Sequence, residues 1–223
     1  MRERTITPGI YLLTAVCGLI GATTFLALGS VFAEIMTGNL MFLAFEIGQG
    51  EGRAALPTYA VPLVTFSVGA VGGGYLLRSA RFPGRRRHPF AAVAVLIALA
   101  LALTIAWQPV AGSVSAMVVV GVLAFAMGIQ NAAVLHHLIP DVATNVMTLT
   151  LVRLLSNLSI IGGDNARWRF RVASLATFFA AAALGAALVR LGPAAGLGAA
   201  LAVYLIALPF LMLSRSPSDP VSA

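Results

Sequence analysis

The chain has 223 residues, 60% of them hydrophobic and only 9% charged, with a formal net charge of +7. An ordinary soluble chain carries about 25% charged residues, so this one cannot cover a soluble surface; a soluble enzyme, a nucleic-acid-binding domain and a disordered protein are excluded. What remains is a polytopic helical membrane protein embedded in the lipid bilayer, and the basic excess, all of it arginine, reads as topology rather than as affinity for nucleic acid.

The chain opens with Met1-Arg2-Glu3-Arg4 before an apolar stretch, the layout of a signal peptide. No small-residue cleavage site follows and the stretch continues past Leu28, so the first run, about 9–28, is predicted to be a membrane helix. The one cysteine, Cys17, lies inside it. It excludes an intramolecular disulfide and a cysteine-based zinc site, and is expected to be a small buried side chain. A span needs roughly 20 apolar residues, and further runs at about 57–77, 89–107, 112–138, 171–190 and 194–213 qualify.

Two shorter runs are unusually polar. Residues 31–49 carry Glu34, Thr37, Gly38, Asn39 and Glu46, and residues 142–161 carry Thr144, Asn145, Thr148, Arg153 and Asn157. If both cross, eight spans result as a parallel 4+4 repeat, and the arginines outside the runs divide seven to six. If each returns to its own side, six spans result, with eleven arginines on the side of both termini and only Arg53 and Arg190 on the other. Arginine collects on the cytoplasmic side. The expectation is therefore an all-α bundle of six full spans and two re-entrant or broken polar segments, multi-pass in a bacterial inner membrane, with both termini cytoplasmic. Residues 1–213 make a single transmembrane domain and 214–223 a disordered cytoplasmic tail.

An internal repeat fits this layout. Gly18-Leu19-Ile20-Gly21-Ala22 lies over Gly128-Ile129-Gln130-Asn131-Ala132 at an offset of 110, and Glu34-Ile35-Met36-Thr37 over Asn145-Val146-Met147-Thr148 at 111. Halves of about 9–107 and 112–213 each read as span, polar segment, span, span. Three crossings per half invert the second half, the architecture of many secondary transporters. The loop from Arg78 to His88 is predicted to be cytoplasmic, and Arg78–Arg87 to meet anionic lipid headgroups at about 1 kcal/mol per arginine. Gly69 with Gly73, Ala70 with Gly74, and Gly192 with Gly196 put small residues four apart, which allows close helix contact within the chain or in a homo-oligomer.

Polar groups inside a membrane are costly unless they face protein or water. In the first polar segment Thr37-Gly38-Asn39 is expected near the turn of a re-entrant path, where exposed amides and carbonyls bind a solute or ion; alternatively Glu34 is an interfacial carboxylate and Gly38 a packing contact. Gln130 reads best as an interhelical hydrogen-bond partner, Asn131 as a site residue. In the second segment Thr150, Arg153 and Asn157 share a helix face. An arginine there costs about 2.5–3.5 kcal/mol on insertion scales. Arg153 either pairs with an acid among Glu34, Glu46, Asp141 and Asp164 or faces an anionic substrate. Ser115 and His136 lie too far apart on one helix for catalysis, His136 and His137 point about 100° apart and make a poor metal pair, and no cofactor fingerprint is present. No enzyme activity and no cofactor are expected.

The stretch Gly18 to Asn39, and within it Val31-Phe32 followed by Met36-Thr37-Gly38-Asn39, resembles the YoaK family of bacterial inner-membrane proteins, which contain a domain of unknown function. Gly128-Ile129-Gln130-Asn131-Ala132 and Thr144-Asn145-Val146-Met147-Thr148 resemble its second-half counterparts. The resemblance covers about 10–210 and implies six spans and no established activity. It departs at Gly21, where the family often has an acid; a carboxylate that couples protons or binds a cation there is lost or moved in this chain. The expected function is a small-solute transporter or channel-like permease. Its solute path runs between the polar segments, with Glu34, Thr37, Gly38 and Asn39 contributing from one half and Asn131, Asn145, Thr148 and Arg153 from the other. The alternative is a non-transporting membrane sensor, lipid-binding or assembly protein with a dry polar core.

Overall fold

A computed structural model describes residues 2–50, 52–79, 88–137, 147–165 and 167–213. The expectations on Arg81–Arg87, Asp141, Thr144, Asn145 and the 214–223 tail lie outside the described residues. Those residues form α-helices and no strands: α1 Arg2–Ala27, α2 Met36–Gln49, α3 Gly52–Ser79, α4 His88–Trp107, α5 Val114–His137, α6 Met147–Leu155, α7 Trp168–Val189 and α8 Pro193–Leu213, with one 3-10 turn at Ser159–Ile161. Six are long and apolar enough to cross a bilayer, over Pro8–Ala27, Leu56–Arg78, His88–Trp107, Val114–His136, Trp168–Val189 and Pro193–Met212. These are the six runs of unbroken hydropathy in the sequence. The polar runs became the short helices α2 and α6, of 14 and 9 residues, about 21 and 14 Å long at 1.5 Å per residue. Neither spans about 30 Å of hydrocarbon.

Side-chain contacts give each helix its direction. Tyr11 meets Phe170, and Gly18 meets Phe178 and Ala182, so α7 runs parallel to α1. Gly9 meets Phe210 and Leu211 while Gly196 meets Thr23, so α8 runs antiparallel to α1 and ends where α1 begins. Gly121 meets Val61, Gly69 meets Phe125, and Gly73 meets Ile129, so α3 and α5 are parallel. Leu28 and Val31, at the end of α1, border one small void with Thr58, Pro62, Gly112 and Met117, at the starts of α3 and α5. Helices α3 and α5 therefore run opposite to α1. The segment between α1 and α3 begins and ends at one end of the bundle. The segment between α5 and α7 begins and ends at the other, which also holds the start of α1 and the end of α8.

Helices α1 and α5 are the centre: 61% and 67% of their spans are buried, against 11–33% for the other four. Lipid tails are as apolar as leucine, so helix association in a bilayer gains little from hydrophobic transfer and depends on close packing. Glycine supplies that here. A Cβ on Gly18 would lie 2.7 Å from the Phe178 carbonyl oxygen and 2.9 Å from the Ala182 nitrogen. A Cβ on Gly128 would overlap the Phe66 carbonyl oxygen and lie 2.8 Å from the Ala70 nitrogen. Gly185 packs on Leu19 and Ala22, and Gly73 on Ile129 and Ala132. Of the small-residue pairs seen in the sequence, Gly69 with Gly73 packs within the chain on α5 and Gly196 on α1, while a Cβ added at Gly74 or Gly192 would meet nothing within 4 Å.

Candidate functional site

The chain leaves α1 through Gly29 and Ser30, whose φ values of 129° and 58° turn it back on itself; only glycine takes the first without strain. Residues 31–35 then run non-helically beside the helix just left. Phe32 stacks on Phe25 with ring centroids 4.8 Å apart. Asn39, fully buried, grips the Phe32 backbone twice: its Oδ1 accepts the Phe32 N–H at 2.9 Å and its Nδ2 donates to the Phe32 carbonyl at 2.6 Å. A Cβ on Gly38 would sit 3.0 Å from the Phe32 ring. Gly38 and Asn39 thus form a clasp on Phe32, and Thr37 beside them is exposed. The sequence placed the turn of this segment at Thr37-Gly38-Asn39. The structure moves it to Gly29-Ser30 and puts Thr37–Asn39 in the first turn of α2, because the left-handed break upstream reverses the chain before the helix starts.

The fold-back carries Glu34, 1% exposed, into the space in front of Gly21, where a Cβ would overlap Oε1 of the carboxyl group. That is six residues, about 9 Å, inside the end of α1. Thr24, one turn on, is also buried and donates to the Gly21 carbonyl at 3.3 Å. The departure at Gly21 therefore has a physical counterpart: a carboxyl group does sit before position 21, and residue 34 carries it. Gly21→Ala should cost about 1–2 kcal/mol by overpacking and cost much less beside Glu34→Ala. A double-mutant cycle read by unfolding in detergent should give a coupling of about 1 kcal/mol; simple additivity would show that the two residues do not meet.

Further along α1, Cys17 is buried, and Gln130 of α5 donates Nε2 to its Sγ at 3.7 Å. This is the interhelical role expected of Gln130. The Gln130 Oε1 is buried with no hydrogen-bond partner among the described residues. Tyr204 of α8 is fully buried and donates to the Phe90 carbonyl at 3.2 Å, tying α8 to α4.

Asn131 lies elsewhere. It donates Nδ2 to the Met127 carbonyl at 2.8 Å and faces a cavity of about 580 Å³ between α3 and α5. Phe66, Ala70 and Leu77 wall it from α3, and Ala132 and Leu135 from α5; Arg78 and His136 stand at its outer end. The sequence assigns Arg78 to a loop that meets anionic lipid headgroups and His136 to a poor metal pair, and it puts neither at a site with Asn131. They lie 58 residues apart on two helices, so their place at one cavity has no local sequence signal. The signal available was Asn131 itself, an amide deep in an apolar run.

Helix α6 packs on α7. Arg153 offers its backbone carbonyl to Arg171 Nη1 at 2.7 Å and to Asn157 Nδ2 at 2.8 Å. Asn157 lies past the helix end, so it does not extend the Thr150–Arg153 face. Thr148 is exposed. Arg171 neighbours Phe170, which meets Tyr11, whereas Glu34 meets Gly21. Those levels on α1 are about 15 Å apart, too far for Glu34 to hold Arg153 as one expected pairing required. The eight residues singled out by sequence thus divide. Glu34, Gly38 and Asn39 are gathered at the α1–α2 junction with Thr37 on its outer face, Asn131 lines the cavity, Thr148 and Arg153 belong to α6, and Asn145 lies outside the described residues.

Residues 9–210 match the model of a family described as Protein of unknown function (DUF1275), the YoaK-like family. The match covers most of the chain, and the chain belongs to this family. No curated protein and no solved structure matches it.

Proposed function

We propose that this DUF1275 member is a small-solute permease of a bacterial inner membrane, built from two inverted halves that alternately open a central path. The observation that carries the proposal is a set of close contacts made twice. Gly18 meets Phe178 and Ala182, and Gly128 meets Phe66 and Ala70; Gly185 meets Leu19 and Ala22, and Gly73 meets Ile129 and Ala132. Partners on α1 and α5 are 110 residues apart, and partners on α3 and α7 are 112 apart. The first half enters along α1, and the second runs the opposite way along α5. Such inverted repeats underlie alternating access in many transporters.

The halves differ where a solute would pass. Gly21 and Asn131 are equivalent at the same offset of 110. The space before Gly21 is filled by Glu34, while Asn131 borders the open cavity. One side is sealed and the other open, as in one of two alternating states. Among the described residues Arg78, Arg167, Arg169 and Arg171 lie toward the open end and Arg190 toward the other; by the positive-inside rule the open end and both termini are cytoplasmic. In the alternate state the Glu34 segment swings off Gly21 and a path opens there.

Cysteine labelling in a Cys17→Ala background tests this. A membrane-impermeant maleimide applied to intact cells should label Arg53→Cys and Arg190→Cys, and Arg86→Cys only after permeabilisation. The reverse pattern would sink the topology. Thr24→Cys is buried in the sealed state, and it should react from outside within minutes. If it stays protected while Arg53→Cys reacts, the polar core is static, and a sensor or assembly protein replaces the permease.

A further inference from the structure

We infer that the cavity between α3 and α5 binds an amphiphilic monoanion: a carboxylate or phosphate monoester on one apolar arm, its charge held by Arg78. As a substrate class this rests on the permease proposal; as a binding site it does not. A volume of about 580 Å³ falls in the range of about 300–1,000 Å³ typical of small-molecule sites. Such sites are mostly apolar with a few convergent polar groups, and this one is graded along its length. From Phe66 to Arg78 the α3 wall spans thirteen residues, about 18 Å of helix from first to last. Its inner part is Phe66, Ala70 and Ala132, and its mouth is Leu77, Leu135, His136 and Arg78.

Among the described residues, Arg78 makes no ion pair and no carboxylate lines the cavity. Arg78 is exposed at the mouth of the cavity, where it is open to an incoming anion, and its guanidinium fits the two oxygens of a carboxylate or phosphate. Asn131 spends one N–H on Met127. Its second N–H and its carbonyl oxygen remain for a polar substituent part-way down the arm. A neutral solute leaves Arg78 unused, and an inorganic anion leaves the apolar walls wet, so the site selects a ligand with both features. A free organic acid or a single-chain anionic lipid supplies the same chemistry.

The test is thermal stability of the full chain in nanodiscs of phosphatidylcholine, titrated with octanoate, octanol and inorganic phosphate. Octanoate should raise the melting temperature saturably, and octanol and phosphate should not. Arg78→Gln should weaken octanoate at least tenfold, and Ala70→Trp should abolish its effect by filling the cavity. Arg87→Gln, a charge of the neighbouring loop, should leave it unchanged. Nanodiscs of phosphatidylglycerol identify the source: a shift from that lipid alone that blocks octanoate assigns the site to lipid, and an undiminished octanoate shift assigns it to a free acid. Equal effects of octanoate and octanol would overturn the inference. So would binding of phosphate alone as tightly, equal loss in Arg78→Gln and Arg87→Gln, or no shift from any probe. Thr24→Cys labelling reports separately on whether anything moves, so binding without movement would sink the permease and leave the site standing.

Discussion

Gly128→Leu is expected to yield no folded protein, and Gly128→Ala to lower the unfolding free energy by roughly 2–3 kcal/mol, at the upper end of overpacking costs. The reason is that backbone, not side chain, stands in the way. A Cβ at 128 would overlap the Phe66 carbonyl and lie 2.8 Å from the Ala70 nitrogen. A flexible side chain could swing aside, but a helical backbone cannot without moving all of α3. Moving α3 outward also breaks the matching contacts of Gly69 on Phe125 and Gly73 on Ile129, and in lipid no hydrophobic gain compensates lost packing. Gly72 is the control. It is on α3 with nothing within 4 Å, so Gly72→Ala should be neutral or slightly stabilising. Unfolding in mixed micelles, read by helical circular dichroism, separates the two. Equal effects at 72 and 128 would mean that helix propensity, not the crossing, is being measured.

The spans were legible because an unbroken apolar run of about 20 residues has few alternatives in a membrane. That the two polar runs are not full spans, as the short helices α2 and α6 show, was legible from a less local signal: Arg53 and Arg190 are isolated while the other loop arginines cluster. The path inside the first polar segment was not. Residues 31–35 are more apolar than 36–49, so hydropathy could not show that the first is non-helical and the second helical. The pair Gly29-Ser30 was the only local mark of the reversal. The Glu34–Gly21 contact and the sharing of one cavity by Arg78 and Asn131 depend on which helices pack together, and a single sequence carries no record of that. Asn39 drew notice for its type and place, yet its residue type alone could not separate a ligand from a clasp.

That separation is the basis of the second large effect. Asn39→Leu, close in volume, should destabilise the protein by about 2–5 kcal/mol, because two backbone groups of Phe32 lose their partners and an unsatisfied buried group costs about 1–3 kcal/mol. Asn39→Asp should be nearly as harmful: it keeps the acceptor for the Phe32 N–H but turns a donor into a second oxygen facing the Phe32 carbonyl, in a fully buried place where an unpaired charge is expensive. The damage should start locally. The clasp holds only the fold-back, so Ala33→Cys, buried in the intact protein, should become reactive to maleimide in the Asn39→Leu background at temperatures where helical circular dichroism is unchanged. Release of the clasp also frees Glu34 from Gly21 and, under the permease proposal, biases the molecule toward the state open at the other end, so labelling of Thr24→Cys should speed up in parallel. A ligand role for Asn39 predicts the contrary pattern: normal stability, protected Ala33→Cys, and a defect confined to solute binding.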